Sequence, residues 1–237
     1  MHFSETVSNG ISVWRSDPDC QTAHDDIVQF LRQRGANFVP QEQVVGTRRF
    51  GNIGEHIAFR IGLHGPFHNY ERHSKNAYEP LSNISSSGVD ILWFLLHPVN
   101  IAEDLVIIQE TKATADPSLQ YANALIADHK KLFSRNPEFT LATRLSSLST
   151  YLEMNRSYDE SLTHRLTRLG ATSAKLCTQV RLVPTLLHDA NHVAEARLLA
   201  VRISIKALGW DDASIKPWSI ALYDFANRLE RIARGKS

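Results

Sequence analysis

Apolar residues recur along this chain with two periods, and the places where the period changes mark the elements. In "DDIVQFLRQRG" (25–35), Ile27, Phe30 and Leu31 have helical spacing and Gly35 is a natural stop. In "GNIGEHIAFRIG", Ile53, Ile57 and Ile61 stand four apart, which predicts a short helix over 52–62 carrying Glu55. The polar stretch "HGPFHNYERHSKNAYEPLSNISSSG" has the Gly, Pro, Asn and Ser content of a loop. Two runs rich in branched and aromatic residues follow, "GVDILWFLL" and "LVIIQETKA", joined by "HPVNIAED"; they predict a β-hairpin. Asp116-Pro117-Ser118 can start a helix through "LQYANALIADHKKLF", with Leu119, Ala122, Ile126 and Phe133 on one side.

Further helix is expected in "LATRLSSLSTYLEM" and "SLTHRLTRLGA". "TQVRLVPTLLHD" has the composition of a strand whose proline assigns it near an edge. In "RLLAVRISIKAL", Val201, Ile203 and Ile205 alternate with Arg202, Ser204 and Lys206, the pattern of a half-exposed strand. "PWSIALYDFANRLERIA" closes the chain as an amphipathic helix. The order helix, hairpin, helices, strand, strand, helix describes a mixed α/β domain.

Composition narrows the class. With 43% hydrophobic and 22% charged residues, the chain is globular rather than disordered. Net charge is near zero, but residues 1–116 carry 9 Lys/Arg against 14 Asp/Glu while residues 117–181 carry 9 against 5. Carboxylates thus gather early, and cations that can face an anion follow. Cys20 and Cys177 are far apart and in no paired motif, which excludes a cysteine zinc site and suits a reducing cytoplasm. No signal peptide is visible, and the longest apolar runs are too short for a bilayer, so a soluble cytoplasmic protein without membrane contact is expected.

The candidate chemistry lies where the second hairpin strand ends, in Gln109-Glu110-Thr111-Lys112. Charges rarely end a core strand without a partner or a task. Strand alternation turns Glu110 and Lys112 to one face, with Gln109 and Thr111 on the other. Folding the hairpin about residues 100–101 brings Asp90 opposite roughly residue 111. Asp90, Glu110 and Lys112 then meet at one end of the sheet. Two carboxylates and an ammonium there suit a hard divalent cation and an activated water. The chain has a second acid-x-Lys triplet, Asp128-His129-Lys130, but on a helix its ends do not share a face. The plain alternative is a salt bridge of Lys112 with one acid, which leaves the other carboxylate unexplained.

These residues, "GNIGEHIAFRI", "GVDILWF" and "VIIQETKAT", resemble the PD-(D/E)xK nuclease superfamily over roughly residues 50–206. Val89 stands where the superfamily often has a proline. The resemblance implies a restriction-endonuclease-like core: a central mixed sheet flanked by helices, with the site on a hairpin. It implies one nuclease domain over 1–237, in which 1–49 is a helical or loop extension and 50–206 the core. Asp90 and Glu110 would bind Mg²⁺, or Mn²⁺ in its place, with Glu55 on the first helix as a further metal or outer-shell carboxylate. Lys112 would complete the catalytic set. The "GE…GVD…ETKAT" string is also similar to the Hachiman antiphage nuclease subunits, which implies an endonuclease acting on DNA or RNA in bacterial antiviral defence with a separately encoded helicase partner.

Several other residues invite a functional reading. Lys130 and Lys131, on the helix after the site strand, are candidate phosphate contacts, although paired lysines on a helix usually face solvent. His188 and His192 have zinc-pair spacing, but a strand-to-loop passage is expected there. His64, His68 and His73 fall in the loop beside the site. Trp93 should face away from Asp90, into the core. A rival to the enzyme is a non-catalytic nucleic-acid-binding or regulatory subunit that keeps the nuclease fold.

Overall fold

The structure is a computed structural model that describes residues 3–16, 47–65, 67, 69–74, 90–132, 160–170 and 179–234. Its first feature is a turn. Asn9 and Gly10 have φ of 51° and 75°, the paired left-handed conformation that matches strand twist in a two-residue hairpin. The turn joins β1 (Phe3–Ser8) to β2 (Ile11–Ser16). The expected 1–49 helical or loop extension therefore supplies two strands of the sheet. The expected 25–35 helix lies outside the described residues.

β3 (Glu71–Ser74), β4 (Ile91–Leu96), β5 (Leu105–Thr114), β6 (Val180–Asp189) and β7 (Trp218–Leu222) complete a seven-stranded sheet in the order β1-β2-β7-β6-β5-β4-β3. The four strands β2, β7, β6 and β5 run parallel, and an antiparallel partner flanks them on each side. The mixed α/β class is as the sequence indicates. The sheet, however, reaches beyond residues 50–206 at both ends of the chain.

Helices cover both faces. α1 (Thr47–His64) and α5 (Phe225–Arg234) lie over Trp14, Ile91, Trp93, Ile107, Val183 and Ile220. α2 (Asn123–Lys131), α3 (Glu160–Gly170) and α4 (Glu195–Ala207) lie over Leu92, Phe94, Val106, Ile108, Leu182 and Leu186. Even and odd positions of β4 and β5 thus serve opposite layers, and all six β4 residues are buried. Trp93 is fully buried and stacks on Phe59 at 4.8 Å, a core residue as expected. No helix among the described residues is long and apolar enough to cross a membrane.

Four elements differ from the sequence expectation. The segment containing Val201, Ile203 and Ile205 is the helix α4, not a strand. Leu198, Val201 and Ile205 bury one helical face, while Ile203 is 67% exposed. The strand with the proline, β6, is central rather than peripheral. The Leu182 carbonyl accepts from Lys216 N at 2.8 Å, so Leu182 and Pro184 turn their backbone groups toward β7. The β6–β7 register begins only at Thr185–Trp218, and Pro184 sits at the break, where its missing N–H interrupts no ladder. The closing segment forms β7 before α5 begins. Finally, the expected 64–88 loop contains the edge strand β3.

Candidate functional site

β5 positions the candidate residues because it is longer than its antiparallel partner. The β4–β5 register runs from Leu95–Leu105 to Ile91–Gln109, whereas β5 continues to Thr114 alongside β6. Continuing that register by one residue sets Asp90 across from Glu110, one position from the expected residue 111. Val106 N donates to Gln179 O on the β6 side, so odd-numbered β5 residues, Thr111 among them, direct their backbone groups to the β4 side. There the Thr111 N–H donates to Asp90 Oδ2 at 2.7 Å. The carboxylate replaces the missing strand partner, and the Thr111 carbonyl opens to the same side.

Gly54 sets the approach of α1. A Cβ at Gly54 would lie 3.2 Å from Ala113 Cβ, tighter than ordinary packing, so the helix backbone comes close to β5 just past Lys112. That contact carries the adjacent Glu55 to the end of the hairpin. Glu55 comes from the α1 layer, while Glu110 and Lys112, at even positions, belong to the α2 layer. The carboxylates therefore meet around the end of β4 rather than on one face of the sheet.

The charged side chains act on one another. Burial, and then the charge of Asp90, push the Glu55 carboxyl up to about 8 against the pull of Lys112. Asp90 is raised by burial, although Lys112, the Thr111 N–H and a hydrogen bond with Glu110 work the other way. Glu110, 3% exposed, is driven well above the carboxylate range by burial and next by Asp90. Burial opposes the charge on Lys112, but Asp90, Asp128 and Glu110 outweigh it and hold the ammonium above the ordinary lysine range.

Asp128 is the residue the sequence did not reveal. It lies in the triplet set aside because its ends diverge on a helix. Yet α2 docks so that Asp128 Oδ2 lies 2.6 Å from Lys112 Nζ. Lys131 Nζ reaches the other oxygen at 3.0 Å. Burial works against ionised Asp128, but its bonds and charge contacts with Lys112 and Lys131 hold it below the usual range. Lys130 and Lys131 are exposed on α2, on the layer that holds Glu110 and Lys112.

The histidines are mostly structural. His188 closes β6 with Nε2 on Ser219 Oγ at 2.7 Å and Nδ1 on the Asp189 carbonyl at 2.8 Å, which leaves it poorly suited to a zinc pair with His192. His73 pairs with Glu71 at 2.8 Å. Cys20, Cys177, His68 and the side chain of His64 lie outside the described residues.

Glu55, Asp90 and Glu110 thus feel the charge of one half-buried ammonium that Asp128 contacts directly. Oxygen donors in carboxylate excess match a hard divalent ion, which binds through one or two carboxylates and keeps several waters. Among the described residues, no group of three His, Cys, Asp or Glu side chains is placed so that it could hold a metal ion. The donor set suits an ion held by two acids and a carbonyl rather than one enclosed by protein. No protein-family model matches the chain, and no curated protein matches it.

Proposed function

We propose that this protein is a metal-dependent nuclease that hydrolyses phosphodiester bonds of DNA or RNA, with a restriction-endonuclease-like core of the PD-(D/E)xK kind. The observation that carries the reading is the meeting of Asp90, Glu110 and Lys112 at the open end of the β4–β5 hairpin, with Glu55 brought in by the α1 contact at Gly54. Asp90, Glu110 and the Thr111 carbonyl would hold Mg²⁺ or Mn²⁺, with Glu55 completing the set or bonding to its waters. When bound, the ion supplies Lewis-acid polarisation of the phosphoryl group and an activated water. Lys112 stabilises the negative charge that develops on the scissile phosphate and orients the attacking water. Glu110 and Asp90, crowded and desolvated, would be relieved of their mutual repulsion by a bound cation.

Lys130 and Lys131 would meet the substrate backbone, contributing affinity without sequence information. The similarity of the "GE…GVD…ETKAT" string to Hachiman nuclease subunits supports a role in bacterial antiphage defence, in the cytoplasm and with a separately encoded helicase. A second reading, a non-catalytic nucleic-acid-binding or regulatory subunit, draws on two observations: no three His, Cys, Asp or Glu side chains among the described residues are grouped so that they could hold a metal ion, and Asp128 engages Lys112.

Incubation of the full chain with plasmid DNA, linear duplex and RNA, each with Mg²⁺, Mn²⁺ or EDTA, separates the readings. Cleavage that needs the ion and disappears in Lys112→Ala supports the enzyme. Salt-dependent binding without cleavage under any condition supports the regulatory subunit.

A further inference from the structure

The chemistry above uses Glu55, Asp90, Glu110 and Lys112 and leaves Asp128 without a task. Its placement is specific. α2 is fastened to the sheet by Leu125, His129 and Leu132, all buried. His129 is a neutral packing residue: burial pushes its pKa down to about 4, and Nδ1 donates to the Leu125 carbonyl at 2.7 Å. With this face anchored, Asp128 stands at the edge of the contact and points its carboxylate at β5. Both oxygens are engaged, Oδ2 by Lys112 at 2.6 Å and Oδ1 by Lys131 at 3.0 Å, so the carboxylate is fixed in orientation as well as in place.

Lys112 needs such an anchor. A lysine side chain carries about 2 kcal/mol of rotamer entropy, and its ammonium has no preferred plane. A group that acts on a phosphate must be held near its working position, because a displacement of about 1 Å can cost about 100-fold in rate. Asp90 and Glu110 also attract the ammonium, but as oxygen donors of the candidate metal site they would turn lone pairs to the ion. Asp128 lies on a different element, outside that donor set, and remains available.

We infer that Asp128 is a positioning residue: through its ion pair it holds the Lys112 ammonium where it can act on the scissile phosphate. The inference rests on the nuclease reading of the site. It extends the functional set to α2 and makes the docking of that helix a condition of activity.

Steady-state cleavage by Asp128→Asn and Asp128→Glu, on whichever of linear duplex or plasmid the parent cuts with Mg²⁺, tests it. Asp128→Asn should lower kcat by about 10–100-fold with KM within about twofold, and Asp128→Glu should recover much of the loss. A parallel NMR measurement on ¹⁵N-lysine protein, which needs no activity, should show a slowly exchanging Lys112 ammonium in the parent that is lost in Asp128→Asn. If the parent cleaves and Asp128→Asn retains its kcat, or loses only thermal stability or KM, the positioning role is overturned while the nuclease reading stands. If the parent cleaves nothing although the ammonium signal is present, the ion pair is structural, and both the nuclease reading and the positioning role fall.

Discussion

The Asp90 carboxylate accepts the Thr111 N–H at 2.7 Å, and this bond ties the residue before β4 to the strand that carries Glu110 and Lys112. A side chain here does what the next residue of a longer β4 would have done. The bond fixes which acid faces which, and strand parity turns the Thr111 carbonyl to the same side.

Changing Asp90 to Ala removes a donor and that cap together, whereas Asp90→Asn keeps the possibility of accepting the N–H. Both should abolish metal-dependent cleavage, by about 100-fold or more. Only Asp90→Ala should also lower stability, by about 1–2 kcal/mol for the unsatisfied N–H. Paired activity assays and urea melts distinguish the two effects.

The crowded carboxylates predict an unusual pH dependence. Glu55 titrates at about 8 in the folded chain and near its ordinary 4.5 when unfolded, so between these values the folded state binds more protons. Stability should therefore fall as pH rises from about 5 to 8, and the raised Asp90 and Glu110 add with the same sign. Asp128, lowered, acts oppositely and only on acidification below the ordinary carboxylate range. Thermal melts in EDTA should show the decline. Glu55→Gln should flatten it, and Mg²⁺ should reduce it by favouring the ionised carboxylates.

Two glycines of α1 should respond in opposite senses. A Cβ at Gly62 would meet the Trp93 ring at 2.7 Å, whereas one at Gly51 meets nothing within 4 Å. Gly62→Ala should be destabilised by about 1–3 kcal/mol of overpacking, partly offset by better helix propensity. Gly51→Ala should gain up to about 1 kcal/mol. Denaturant midpoints with unchanged slopes would confirm both.

The far end of the hairpin gives a control distant from the chemistry. Asp104, fully buried, accepts from Arg165 Nε at 2.9 Å, from His97 N at 2.9 Å and from Arg168 at 3.3 Å. Asp104→Ala leaves the half-buried Arg165 with the His97 carbonyl at 2.9 Å and should cost about 1.5–3 kcal/mol. Hydrogen exchange should report the loss first in α3.

The hairpin was legible because both of its strands are buried on both faces and are written as unbroken branched runs. The Glu110–Lys112 pairing followed from strand parity alone. Asp128 was not legible: its contact with Lys112 depends on the angle at which α2 docks, which no local pattern encodes. α4 misled because Val201, Ile203 and Ile205 alternate, while the buried set Leu198, Val201 and Ile205 is spaced for a helix; over so short a run the two periods coincide. The Pro184 strand misled because the proline falls at a break in the ladder, an outcome set by where β7 starts. The β1–β2 hairpin did carry a local signal, Asn9-Gly10, but "FSETVS" is too polar to read as a strand without its neighbour β2 beside it.

Titration of Mn²⁺ into the full chain and into Glu110→Ala, followed by electron paramagnetic resonance, tests the metal centre without requiring a substrate or a partner. The parent should bind Mn²⁺ at one site from which Mg²⁺ displaces it, and Glu110→Ala should lose that site. Equal Mn²⁺ binding by the two proteins, or none by the parent, would contradict the assignment of Asp90 and Glu110 as the ligands of a hydrolytic metal.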